Sequence, residues 1–402
     1  MSDRAIQRLF AAYSHQLEQT KQPLKNKKAI HALTHCRTRE MGSSFYRCED
    51  NHPAIEQFHS CRNRSCYLCA QQKRLEWIEQ QKARVLNVPH FHVIFTVPHD
   101  YLPLWRYNEA LFSRLLFKAS QETLLALLAD KKHGGLTPGI LMVLHTWGRR
   151  LNLHPHTHCL VSAGGLDKSG AWRDLGHFLL PSRVMRATYR GKIQSQLKEA
   201  LTSGELQLPP DWTASTFWKT YRSLYKKEWH VRVQSRYEHG KGVVIYLARY
   251  CKGGPLHPKQ LKRLSSTAID MSYFDHRSQR IKHQQLNPMA FIRRLLQHVP
   301  PKGLHTSRHY GLYASAAKKR LAICHRLKDN LSGVSSGHGQ KIMAMVLYCK
   351  TCGDEARLTH QLWPSWQKGI SINREASTSG AESCVQQDDE VGFKKREIVD
   401  TS

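Results

Sequence analysis

Hydrophobic positions divide the chain into short strands and amphipathic helices. The stretch His90–Pro98 (HFHVIFTVP) is β-branched and aromatic and stops at a proline, which predicts a buried strand. Residues 108–130 are leucine-rich and end before Lys131-Lys132-His133-Gly134-Gly135, which predicts a helix. Gly139–Trp147 predicts a second strand and His154–Val161 a third. The turn over Gly148–Asn152 makes these two a hairpin. Farther on, Trp229–Val233 reads as a strand, and Gly242–Cys251 as a helix closed by Gly253-Gly254. Upstream, Leu75, Ile78, Lys82 and Leu86 fall near helical spacing, so residues 71–86 are expected to form an amphipathic helix. Strands interspersed with helices predict an α+β domain, a sheet with helices on one face.

Charge narrows the partners. The 402 residues hold 61 lysines and arginines against 31 aspartates and glutamates, a net charge of +30, with 25 histidines besides. A surface this basic is expected to meet a polyanion. No apolar run reaches the roughly 18 residues that span a bilayer. The opening MSDRAIQRLF lacks the apolar stretch of a secretory signal. Neither a membrane protein nor a secreted one is expected.

Five of the eleven cysteines, Cys36, Cys48, Cys61, Cys66 and Cys69, lie close together near the start. In a reducing compartment such a cluster reads as metal ligands. Cys66-x-x-Cys69 has the spacing of a zinc knuckle, whose two thiolates reach one ion while the backbone turns beneath it. Cys48 and His52 are taken as the other half of a tetrahedral zinc site. Cys61 and Cys36 are the alternates, either replacing one of these or forming a second site. Arg62, Arg64, Lys73 and Arg74 flank the cluster and suit phosphate contacts. Cys349-x-x-Cys352 is a further pair with no matching pair nearby; Cys324, His325 or His360 are its candidate partners.

Two stretches carry further chemistry. His156-Thr-His158 places two imidazoles on one face of a strand, because strand side chains alternate with period two, and such a pair can chelate a cation. His145, on the neighbouring strand of the hairpin, is placed to supply a third ligand, while His154 stands at the strand entrance before a proline. His90-Phe-His92 has the same format with no third ligand evident. Tyr246 and Tyr250 stand four apart on the expected helix and so share a face, with Arg249 between them and Lys252 next.

The stretches SCRNRSCYLC, FHVIFTVP, HTWGRRLNLHPHTHCLVSAGGL, YLARYCKGGPL and FIRRLLQHVPPKGLHTSRHYGLY run in order over about residues 30 to 320. In them the chain resembles the HUH superfamily of single-strand endonucleases, specifically the two-tyrosine rolling-circle transposases of the insertion sequence 91 family. Two departures stand out. Family members commonly carry a second Cys-x-x-Cys where this chain has Cys48 followed by Asn51-His52, and a histidine where it has Ser65.

The resemblance implies an HUH-like antiparallel sheet preceded by a small zinc-binding domain. It implies divisions at residues 1–75 (zinc-binding, DNA-contacting), 76–330 (nuclease) and 331–373 (a small segment); from about Arg374 the chain turns polar and acidic, which predicts a disordered tail over 374–402. It implies a protein of the bacterial cytoplasm, at the nucleoid, that nicks and rejoins single-stranded DNA through a 5′-phosphotyrosine. Tyr246 and Tyr250 would be the nucleophiles, and His145, His156 and His158 would hold Mg²⁺ or Mn²⁺. The cysteine cluster would hold structural Zn²⁺. Arg62, Arg64, Lys73, Arg74, Arg249 and Lys252 would contact single-stranded and hairpin DNA at the element's ends. Two other readings remain at this stage. One is a plasmid replication initiator or relaxase of the same chemistry; the other is a non-catalytic, zinc-dependent DNA-binding regulator.

Overall fold

The computed structural model describes residues 4–238, 242, 244–245, 248, 254–256, 260–265, 267–275, 278–332 and 346–364. The strands are β1 (Ser43–Arg47), β2 (Ile55–Phe58), β3 (His90–Thr96), β4 (Leu136–Trp147), β5 (Leu153–Asp167), β6 (Trp172–Asp174) and β7 (Val231–Tyr237). They continue with β8 (Leu261–Leu264), β9 (Ile269–Asp275), β10 (Arg280–Leu286), β11 (Ser307–Gly311), β12 (Leu347–Tyr348) and β13 (Glu355–Leu362). The chain forms two compact units, residues 1–34 with 62–342, and residues 35–61 with 343–402. This grouping departs from the expected division in chain order. Its cause is strand pairing, because β1 lies between β2 and β13 in one four-stranded sheet. The expected tail at 374–402 lies outside the described residues.

The larger unit is built on an antiparallel sheet ordered β11-β4-β5-β3-β7, with β6 paired to β5, and so has the expected α+β class. The predicted hairpin is the pair β4–β5, longer at the end away from the turn than the apolar runs alone suggest. Period-two alternation sends the two sets of strand side chains into different cores. Phe91, Val93, Phe95, Ile140, Met142, Leu144, Cys159 and Val161 join one, together with buried residues of the helices Glu109–Ala129, Ser182–Thr202 and Ala214–Lys226. Leu141, Val143 and Leu160 join the other, with Trp77 and Ile78 of the helix Tyr67–Arg84 and with Val244 and Ala248.

One glycine is dictated by close approach. A Cβ on Gly139 would lie 2.5 Å from the Tyr313 ring. That ring lies over the strand so that its hydroxyl accepts from the Leu86 N–H at 3.2 Å and bonds the His90 Nε2 at 2.6 Å. Residues 261–286 add a separate three-stranded meander, β8-β9-β10.

The smaller unit carries little core. Among its described residues only Cys36, Met41, Cys48, Cys349 and Ala356 are buried apolar side chains. Tyr348, Leu358 and Leu362 are each at least half exposed. Phe45 stacks on His360, ring centroids 4.4 Å apart.

Candidate metal centre

Strand register assembles a cluster of imidazoles. In the β4–β5 ladder His145 faces His156 and Val143 faces His158, so three histidines share one face at one end of the hairpin. Each offers a ring nitrogen within 4.8 Å of the other two. The Nε2 atoms of His156 and His158 are 3.0 Å apart. Two ring nitrogens bound at about 2.1 Å to a shared tetrahedral ion stand about 3.4 Å apart, so the pair needs little adjustment to take one.

The remaining ring atoms support that assignment. His156 Nδ1 is 2.7 Å from the His154 carbonyl, which can only accept; Nδ1 therefore carries the proton and Nε2 is left as a lone pair. His145 Nε2 is buried with no hydrogen-bond partner, and the ring lies flat on Trp147 at 4.6 Å. A buried imidazole nitrogen without a partner is costly unless something such as an ion engages it. Burial, followed by the neighbouring imidazoles, holds His145 and His158 well below the usual imidazole range. The same causes bring His156 down to about 3. Neutral rings are what a cation requires.

A fourth histidine belongs to the arrangement. His92 on β3 faces Leu160 of β5, and its Nε2 lies 2.7 Å from His158 Nδ1. If His158 points Nε2 at an ion, Nδ1 bears the proton and donates it to His92 Nε2. His92 must then protonate Nδ1, and Gln234 of β7 lies beside this ring. Gln234 lies beside the register shift between Phe91 and Val93. The bond from His158 to His92 thus sets the tautomer of a ligand, as partners of metal-bound histidines do. His92→Ala is expected to weaken Mn²⁺ binding about 10–100-fold. Isothermal titration of the protein with Mn²⁺ measures this, and unchanged affinity would remove His92 from the site.

Of the His90–His92 pair, for which the sequence shows no third ligand, only His92 joins the arrangement. His90 is structural, with Nδ1 on the Val88 carbonyl at 2.7 Å and Nε2 on Tyr313. The missed signal is parity: His92 shares a face with His158 only once β3 is known to neighbour β5. His154 lies outside the triad, 3.2 Å from His99.

Tyr246, Tyr250, Arg249 and Lys252 lie outside the described residues. Their neighbours Gly242, Val244, Ile245 and Ala248 are helical, as expected. Val244 and Ala248 are buried in the cluster of Leu141, Val143 and Leu160, which share parity with His145 and His158.

The cysteine cluster divides differently from the expected pairing. Cys48 and His52 are brought together with Cys349 and Cys352, not with Cys66 and Cys69, because β13 pairs beside β1. None of the expected partners of the Cys349 pair takes that place. His360 stacks on Phe45, His325 bonds the Arg84 carbonyl at 3.3 Å, and Cys324 is buried beside Tyr313 and Leu312. Cys66 and Cys69 are buried at the start of the helix Tyr67–Arg84. Arg62, Arg64 and Lys73 are exposed and Arg74 half-buried. Lys73 donates to the Arg62 carbonyl at 2.7 Å, and Arg64 to that of Leu304. Arg64 and Lys73 line a cavity of about 280 Å³ with Trp77, Trp105, Trp147 and His298.

An antiparallel sheet with a histidine triad and a cysteine-rich N-terminal segment defines a metal-binding α+β protein, and comparison with known proteins gives its family. Residues 5–97 match the family model described as "Transposase zinc-binding domain", and residues 139–320 the one described as "Putative transposase". The chain is 32% identical over 329 residues to the "Putative transposase y4qJ" of Sinorhizobium fredii (strain NBRC 101917 / NGR234), covering 79% of this chain and 83% of that one. It is 30% identical over 323 residues to the "Transposase for insertion sequence element IS801" of Pseudomonas savastanoi pv. phaseolicola, covering 78% and 77%. The chain belongs to the insertion sequence 91 family of transposases. Among the described residues no helix is long and apolar enough to cross a membrane.

Proposed function

We propose that this transposase nicks and rejoins single-stranded DNA through a 5′-phosphotyrosine, in rolling-circle transposition. The observation that carries the reading is the triad His145–His156–His158, two of its rings buried and one half-buried, on the sheet face where Val244 and Ala248, the neighbours of Tyr246, are buried. These imidazoles would hold a divalent ion. When bound, that ion polarises the scissile phosphate and offsets charge on the leaving oxygen. No carboxylate joins the triad among the described residues, so the donor set is soft for Mg²⁺ and favours Mn²⁺.

The phenol oxygen of Tyr246 attacks phosphorus. The bond from phosphorus to the 3′ oxygen breaks, the phenol gives up its proton, and the 3′ oxygen gains one. A 5′-phosphotyrosine and a free 3′-OH result. Rejoining reverses these steps without ATP, because the ester retains the bond energy. Tyr250 is the second nucleophile, allowing two strands to be linked at once.

Net charge and the cavity lined by Arg64, Lys73 and the half-buried Trp147 support binding of single strands and end hairpins, with phosphates on the cations and a base on that ring. Cys66-x-x-Cys69 would supply zinc ligands of the matched domain.

The test uses labelled single-stranded DNA from the element's ends with Mn²⁺, resolved on a denaturing gel. A metal-dependent covalent adduct is expected, and Tyr246→Phe/Tyr250→Phe is expected to eliminate it. No adduct from the unaltered protein on either end would favour a DNA-binding regulator. An adduct formed on plasmid origins but not on element ends would favour a replication initiator.

A further inference from the structure

The four donors gathered in the smaller unit have no role in the nuclease reading. Cys48 follows β1 directly, and a short turn returns the chain to it. Asn51 donates its N–H to the Cys48 carbonyl at 3.1 Å, and the Arg47 guanidinium donates to the Asn51 side chain at 2.7 Å. Asn51 sits at φ +57°, a left-handed conformation that asparagine tolerates. The turn sets His52 Nδ1 3.3 Å from Cys48 Sγ.

Cys349 and Cys352 occupy the tight turn between β12 and β13. The Cys349 N–H donates to the Asp354 carbonyl at 2.7 Å, and the Gly353 N–H to the Cys349 carbonyl at 2.9 Å, with Gly353 at φ +82°. The Thr351 N–H points at Cys349 Sγ from 3.4 Å. Amides directed at sulfur are what a thiolate, not a thiol, requires. The register Arg47↔Arg357 then sets the exit of β1 beside the entrance of β13. One donor atom from each of Cys48, His52, Cys349 and Cys352 lies within 4.8 Å of all the others. Ligands of a tetrahedral zinc ion stand about 3.4–3.8 Å apart, so closing the site takes about 1 Å.

We propose that Cys48, His52, Cys349 and Cys352 form a structural Zn²⁺ site that closes the smaller unit from the two ends of the chain. Neither family match reaches the second pair, since they end at residues 97 and 320. Three thiolates and an imidazole select zinc over the oxygen-seeking ions of catalysis. The need for it follows from the core. The five buried apolar side chains among the described residues are too few to hold two segments together, and modules of this size rely on a metal or disulfides.

The experiment measures zinc per chain in the purified full-length protein by mass spectrometry of the metal. Cys349→Ser/Cys352→Ser is expected to lose one equivalent relative to the unaltered chain, and an unchanged zinc content overturns the site. Cys66→Ser/Cys69→Ser is expected to lose a different equivalent, so failure of the N-terminal zinc assignment is read separately. Because a serine variant can fail by misfolding, His52→Cys is measured beside it. That variant is expected to keep its zinc, and its Co²⁺ form should show stronger sulfur-to-metal absorption, from three thiolates to four. A Co²⁺ spectrum identical to that of the unaltered protein removes His52 and overturns the four-residue set. A Cys349–Cys352 disulfide in the purified chain overturns the proposal too.

Discussion

His158→Ala is expected to lower the rate of adduct formation about 10³-fold or more, the several kcal/mol that a bound ion contributes to charge stabilisation. Affinity for single-stranded DNA should stay within about threefold, because phosphate contacts dominate binding. His158 contributes one ring nitrogen to the triad and the other to the bond with His92, so its removal opens both. His156→Ala should behave alike, whereas His154→Ala should retain most activity, since His154 lends the site only its carbonyl. Single-turnover cleavage and filter binding on the same oligonucleotide separate the two effects. Equal loss of cleavage and binding in His158→Ala would mean that the triad builds the DNA-binding surface and not a reaction centre.

The second large effect is on acid stability. Burial holds His90, His92, His154, His298 and His309 down at about 4, and His156 at about 3; His145 and His158 lie well below the usual range. The unfolded chain binds these protons near pH 6.5, where the folded chain still refuses them. Stability from the neutral rings is therefore complete above about pH 6.5 and is lost as pH falls toward about 4. Each fully buried histidine adds up to about 1.4 kcal/mol per pH unit over that window, while the half-buried His154, His158 and His309 add less. Several acting together rival the roughly 5–15 kcal/mol by which domains are stable. The larger unit is expected to unfold between about pH 6 and 4.5. Bound metal sharpens the loss, since protons compete for the same nitrogens. Thermal melts at about pH 7.5 and 5.5 measure it. Equal melting temperatures would show that these rings take up protons freely in the folded state.

Much of the site was legible because its logic is local. His156 and His158 share a face by strand period alone, and the apolar runs on either side of Gly148–Asn152 announce the hairpin that brings His145 opposite. What escaped was long-range. His92 reaches His158 because β3, about sixty residues upstream, lies against β5 and not at an edge, and nothing in HFHVIFTVP states its neighbour. The zinc ligands divide for the same reason. Knuckle spacing within one segment joins Cys48 and His52 to Cys66 and Cys69, whereas β1 pairs with a strand some three hundred residues away.

The sequence by itself determined the basic surface, the strand and helix periods, the facing of each histidine along its own strand, and the family. These depend on residue type and on spacings of two to four residues, which the backbone repeats enforce wherever the chain goes. Only the tertiary structure decided which strands are neighbours, and with that the place of His92 in the imidazole cluster and the gathering of Cys48 and His52 with Cys349 and Cys352. Strand order and register follow from burying apolar faces over the whole molecule, a condition that no short stretch of residues contains.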